Sequence, residues 1–441
     1  ASLRSEGAQV CCVNERLGME APYGELGDSP EPRLPVPYEC RPGPQWSDRH
    51  VEACFFALGA AGEVSLNVLA LSVSYLKLSL GATVLARIGA LHFAGAMTMN
   101  VACTALSFRE GFLAPRPSTA VLILSCLLVM LVLVVGLGVM FLESGSPPGE
   151  LFNPLVLVNG AAIGTCTSVV AALAGVFTCY GGVPRAAAAQ TSGAGVGVLL
   201  PTMVNLAFLP LSHTDAGAAR RLAGLVTCGL ASVLILLGCA AAVILTKTTV
   251  FNEVINRSLP KFIGSESKTA FIHRFRGFWK LRATTVWQLA LFSFTILAVS
   301  VLAIQLIPAL PTPGAAGGMG ATLLLCGFNV GDFAGRMLAL RGVAIRGQGF
   351  AVVAVVRTGV AVYLVAAVAG RAATSDAAAL TCYCILALLG GMGVTGAAHR
   401  AQQSCGHSYG VPCPIAAQLM WLMVQFGAVV GTMVAHAVLQ H

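Results

Sequence analysis

Gly327-Phe328-Asn329-Val330-Gly331-Asp332-Phe333-Ala334-Gly335-Arg336 lies inside an apolar run, Ala315 to Leu340, long enough to cross a bilayer as a helix. A charged side chain at the centre of such a helix costs about 2.5–3.5 kcal/mol on insertion scales, so Asp332 and Arg336 are functional candidates by default. Asn329, Asp332 and Arg336 are spaced i, i+3 and i+7 and share one helix face. Asp332 precedes Arg336 by four residues, the spacing at which carboxylate and guanidinium meet and offset part of each other's desolvation. Gly327, Gly331 and Gly335 recur every four residues and make a small-residue stripe that a second helix can approach closely. Two roles fit the pair: lining a solute pathway, or locking two helices together. Intramembrane charges usually face a cavity, which favours the pathway.

Composition sets the class. Hydrophobic residues make up 56% of the 441 and charged residues 10%, against about 25% charged in soluble domains. This is the composition of an integral membrane protein. The formal net charge of +8 comes from basic residues scattered over loops. Positive-inside topology accounts for them, and no nucleic-acid polymer is expected as partner. Most of the fifteen cysteines fall inside apolar runs, where they pack as small residues. Cys11 and Cys12 are candidates for lipidation and Cys405 with Cys413 for pairing, but neither spacing compels the idea. No zinc-type spacing is present, and no cofactor is expected.

Residues 1–50, with prolines at 30, 32, 35, 37, 42 and 44, are expected to form a disordered cytoplasmic tail rather than a signal peptide. Eleven apolar runs follow: Ala53–Leu76, Ala82–Phe108, Thr119–Leu142, Pro154–Tyr180, Ala186–Leu209, Leu222–Leu245, Thr284–Ile307, Ala315–Leu340, Gly349–Ala369, Ala377–Ala398 and Ile415–Leu439. The prediction is an all-α polytopic membrane protein. A six-helix bundle over 51–245 and a five-helix bundle over 284–441 are joined by a basic cytoplasmic loop, 246–283. That is a 6+5 arrangement of the major-facilitator kind.

An odd count puts the two ends on opposite sides. With the amino end inside, inner connections hold fourteen Lys or Arg, eight of them in the long loop, and outer ones only Lys77, Arg220, Arg221 and Arg371. The sequon Asn256-Arg257-Ser258 then falls inside and is expected to stay unused.

Other polar residues sit within the runs. Glu63 and Asn67 are one helical turn apart on the first, and Tyr75 closes it. His92 lies deep in the second and Arg357 a third of the way into the ninth. For each the alternative to a site role is a hydrogen bond between helices. Glu63 is also a candidate for proton linkage. Arg357 is a candidate partner for Glu63 or Asp332. Phe294 and similar residues read as packing. The third run carries no charge and is expected to face lipid.

Phe328 to Arg336 resembles the eighth-helix signature of the equilibrative nucleoside transporter family, an Asn, an Asp three later and a closing Gly-Arg. Pro184 followed by Ser192-Gly193-Ala194-Gly195 is similar to that family's fifth-helix pattern. Asn67 with Tyr75 eight later resembles the end of its first helix, although Ser65-Leu66 stands where Pro-Trp is usual. Arg357 matches a ninth-helix arginine. The resemblance covers residue 51 to the end, and the divergent first helix and alanine-rich composition look more like protozoan members.

It implies eleven helices, an inner amino terminus and a large inner loop after the sixth. It also implies plasma-membrane transport of nucleosides, purine nucleosides such as adenosine or nucleobases among them, by alternating access. The first and eighth helices would face the cavity. Asp332 would accept from ribose hydroxyls, Arg336 donate to ribose or base oxygens, and Asn329 do both. Where the family often offers a fourth-helix glutamine to the base, this chain has Ala171-Ala172-Leu173, and the missing tryptophan removes an aromatic wall.

A major-facilitator-type carrier of a sugar or drug and a non-transporting receptor are the alternatives. Eleven spans do not fit a seven-helix receptor, no repeated filter sequence marks a channel, and no nucleophile–base or His-Glu-x-x-His set marks an enzyme.

Overall fold

The computed structural model describes residues 48–72, 84–110, 117–143, 149–180, 183–208, 216–248, 251, 285–311, 319–343, 345, 348–405 and 413–440. They form eleven helices long and apolar enough to cross a membrane, and no strand among the described residues. The helices are α1 Asp48–Leu71, α2 Val84–Glu110, α3 Pro117–Glu143, α4 Gly149–Tyr180, α5 Ala186–Phe208 and α6 Ala216–Lys247. Then come α7 Thr285–Leu306, extended by a 3-10 turn over Ile307–Ala309, α8 Met319–Leu340, α9 Gly349–Val368, α10 Asp376–Cys405 and α11 Cys413–Gln440.

Each predicted run is a helix, with shifted ends. The first begins at Asp48, so the expected tail gives up its last three residues. An acid in the first turn suits the positive end of the helix dipole. It ends at Leu71 rather than Leu76, and Tyr75 lies outside the described residues, as do Cys11, Cys12, Asn256 and most of the basic loop. The tenth continues beyond the predicted Ala398 to Cys405.

Packing repeats. In the first half α1 packs on α5 and α2 on α4; in the second, α7 packs on α11 and α8 on α10. The same residue type makes all four close. A side chain at Gly193 would collide with the Phe56 carbonyl, at Gly160 with that of His92, at Gly431 with that of Ala298, and at Gly335 with that of Leu388. Glycine at these crossings lets two helix backbones touch, where any Cβ would force them apart. Between the halves the contacts run α5 to α8, α2 to α11, and α4 to α11. Glycines there meet side chains: Gly195 of α5 faces the aliphatic stem of Arg336, and Gly89 of α2 faces Gln305 and Thr432.

The repeat is incomplete. In the first half α6 packs on both α1 and α3, whereas in the second α10, already the main partner of α8, is the helix that also packs on α7 and α9. The outward face of α9 is apolar, with Val355 72% exposed, and so is that of α3, with Val132 71% exposed. Such faces in a chain of this composition are lipid-facing. The inner faces form one large apolar cluster in the first half and two in the second. A small fourth joins Ala171 of α4 to Trp421 of α11.

Candidate functional site

The eighth helix carries its polar face to the boundary between halves. Arg336 Nε donates to Asp332 Oδ2 at 2.7 Å, the i, i+4 pairing that the spacing predicts. Arg336 Nη1 also donates to the Thr191 carbonyl of α5 at 2.7 Å, and the Ser192 hydroxyl donates to the Arg336 carbonyl at 3.3 Å. Asp332 Oδ1 and Arg336 Nη2 have no hydrogen-bond partner among the described residues. Their side chains keep 16% and 15% exposure. The pair thus fastens α8 to α5 and still keeps one acceptor and one donor at partial exposure.

Three helical turns further along α5 a second polar contact crosses the same boundary. Asn329 Nδ2 donates to Thr202 Oγ1 at 2.8 Å, and Asn67 Nδ2 of α1 donates to the same hydroxyl at 3.3 Å and to the Val198 carbonyl. The Thr202 hydroxyl donates in turn to the Val198 carbonyl at 3.0 Å. All three side chains are buried. Thr191 and Thr202 are about 16 Å apart along the helix at 1.5 Å per residue. Polar contacts therefore tie α5 to α8 at two depths.

Glu63, one turn before Asn67, is half-buried and lines a small cavity with Gln190 of α5, Thr167 and Cys166 of α4 and Trp421 of α11. Gln190 directly precedes Thr191, whose carbonyl accepts from Arg336 Nη1, which places this cavity next to the charged pair. So α1, α5 and α8 gather Glu63, Asn67, Asn329, Asp332 and Arg336 into one region.

Two predicted residues stand elsewhere. Arg357, 1% exposed, donates from Nη2 to the Ile296 carbonyl at 3.0 Å and to Ser300 Oγ at 2.6 Å, both on α7. It pairs directly with neither Glu63 nor Asp332, although Asp332 acts on it at longer range. Gly390 of α10 makes room for its guanidinium, and Nε and Nη1 have no partner. His92 is buried on α2 against α4, with Nδ1 unpartnered, and it joins none of the hydrogen bonds above.

Sequence reasoning missed Thr202, Gln190 and Trp421. Polar side chains inside apolar helices are the available signal, and Gln190 and Thr202 carry it. Trp421 carries none, being one aromatic among many apolar residues. It shares a small buried cluster with Ala171, Ala417 and Val424.

The helix order, the repeated pairing and a polar boundary between two halves define an all-α polytopic membrane protein with the major-facilitator fold. The sequence matches no protein-family model and no curated protein. Among solved structures it is similar to a Major Facilitator Superfamily transporter, FucP, in the outward conformation. The TM-score is 0.54 at 12% identity over 88% of this chain and 96% of that one. It is similar also to the proton:xylose symporter XylE bound to 6-bromo-6-deoxy-D-glucose, with TM-score 0.54 at 14% identity over 89% and 94%. A partially occluded inward open form of XylE from E. coli gives TM-score 0.53 at 11% identity over 89% and 96%. These likenesses establish the fold.

Proposed function

We propose that the protein carries nucleosides, purine nucleosides among them, across the plasma membrane by alternating access, with its amino end in the cytoplasm. The observation that carries this reading is the Asp332–Arg336 pair. It lies on the boundary between halves, still has a free acceptor and a free donor, and stands in a segment resembling the nucleoside-transporter signature. A ribose presents several hydroxyls whose water must be replaced inside the membrane. Asp332 Oδ1 accepts from them and Arg336 Nη2 donates to ring or hydroxyl oxygens. Rocking of the six-helix and five-helix halves about this region opens it to one side at a time. Protons are a candidate co-substrate, with Glu63 as their acceptor.

A sugar carrier is the second reading, and the similarity in fold to a proton:xylose symporter and a fucose:proton symporter favours it. Counterflow in proteoliposomes distinguishes the two. Vesicles loaded with unlabelled adenosine should accumulate labelled adenosine transiently, and excess glucose or xylose should leave the overshoot intact. Counterflow of labelled xylose or glucose in sugar-loaded vesicles, with no overshoot of adenosine, would favour the second reading.

A further inference from the structure

The cavity beside Glu63 combines features that the ribose site does not use. Its walls come from both halves: Glu63 of α1, Gln190 of α5 and Thr167 of α4 from one, Trp421 of α11 from the other. It is small in this conformation, but movement of one half against the other must change its width. The Gln190 side chain, 3% exposed, borders it with no hydrogen-bond partner among the described residues. The Glu63 carboxylate has none either. A buried amide and a half-buried acid without partners are costly, and a ligand able to pair with both would recover that cost. The position is close to the ribose candidates, since Gln190 directly precedes Thr191, whose carbonyl accepts from Arg336 Nη1.

We infer that this cavity is the nucleobase subsite, and that Glu63, Gln190 and Trp421 select 6-oxopurines bearing a 2-amino group. The inference rests on the nucleoside-carrier reading above and adds the base it prefers. A carboxylate offers two acceptor oxygens in a fork. The edge that fits it presents two parallel N–H donors, which guanine supplies from N1 and its 2-amino group. The neighbouring O6 is an acceptor, and the Gln190 amide nitrogen donates to it. Trp421 lines the cavity as its aromatic wall, on which a purine can stack. Adenine presents a ring acceptor at N1, which faces the carboxylate with like polarity.

The test is competition against labelled-nucleoside counterflow by guanosine, inosine, adenosine and 1-methylguanosine. A bidentate pair between side chain and base discriminates by about 1–3 kcal/mol, or roughly 5- to 150-fold. Guanosine should therefore compete about tenfold better than 1-methylguanosine, with inosine between. Glu63→Gln should collapse the guanosine preference, and Trp421→Phe should weaken all purines less than Trp421→Ala does. The wild-type panel needs no variant, so a Glu63→Gln protein that fails to fold leaves the test standing. If wild-type protein counterflows nucleosides but treats guanosine and 1-methylguanosine alike, the subsite assignment is wrong while the carrier reading survives. Persistence of the preference in Glu63→Gln has the same meaning. A protein that counterflows no nucleoside overturns both.

Discussion

The Asn329 amide donates to the Thr202 hydroxyl at 2.8 Å, across the boundary between the six-helix and five-helix halves. Asn67 reaches the same hydroxyl from α1, so one small side chain on α5 ties three helices from both halves. Movement of α8 away from α5 at this depth must break that bond. Thr202→Val removes the shared acceptor while keeping the shape. It should weaken this closure by about 1 kcal/mol, the usual net worth of a hydrogen bond. Cysteine-accessibility labelling next to Asn329 should then rise. Unchanged labelling would mean that the bond plays no part in closing the boundary.

Asp332 and Arg336 are separable by charge. Asp332→Asn should lower nucleoside uptake by roughly tenfold or more, because hydrogen bonds to charged groups contribute about 1.5–3 kcal/mol. Arg336→Lys should also cost uptake, since an ammonium cannot reproduce the fork that reaches Asp332 and Thr191 together. Asp332→Asn combined with Arg336→Gln removes both charges. Recovery of surface expression without uptake is the expected outcome; full uptake by the double variant would remove the pair from the site.

Gly390 and Gly136 form a matched pair of tests. An alanine at Gly390 would collide with Arg357 Nη1, whereas nothing lies within 4 Å of a side chain at Gly136. Gly390→Ala should reduce the folded fraction sharply, as it displaces a buried guanidinium from its α7 partners. Gly136→Ala should be neutral or should stabilise by up to about 1 kcal/mol through helix propensity. Thermal stability in detergent measures both.

His92 lies outside the gathered polar region, so His92→Leu should leave the ranking of competing nucleosides unchanged. A changed ranking in the competition panel would bring His92 back into the site.

Orientation is open to direct measurement. With fourteen basic residues on one set of connections and four on the other, an epitope after His441 should be labelled on intact cells. Labelling only after permeabilisation would invert the topology.

Much of the fold was legible because each crossing needs a long apolar run, and such runs announce themselves. The i, i+4 pairing of Asp332 with Arg336 was legible for a similar reason: helical spacing alone brings the two together. What lies across a helix boundary was not. Nothing near Thr202 says that Asn67 and Asn329 both reach it, because residues 67, 202 and 329 meet only through tertiary packing. Arg357 shows the limit from the other direction. Its burial was readable from an apolar run, but its partners are a carbonyl and a hydroxyl on α7 rather than an acid. Sequence charge-matching looks for carboxylates and passes over such acceptors.

The glycines at the crossings have a mechanical consequence. Within each half the four main pairings set main chain against main chain, as at Gly193 with Phe56 and Gly335 with Leu388. Between halves they set a glycine against side chains rather than main chain, as at Gly195 with Arg336 and Gly89 with Gln305. Close-packed main chain has little compliance, because any shear drives atoms into overlap. Side-chain torsions relax in picoseconds to nanoseconds where they are free to do so. Stiffness is thus graded across the molecule, high inside each block and low along the seam. An elastic load from the bilayer would be taken up at the seam first, and the blocks would turn before they bend.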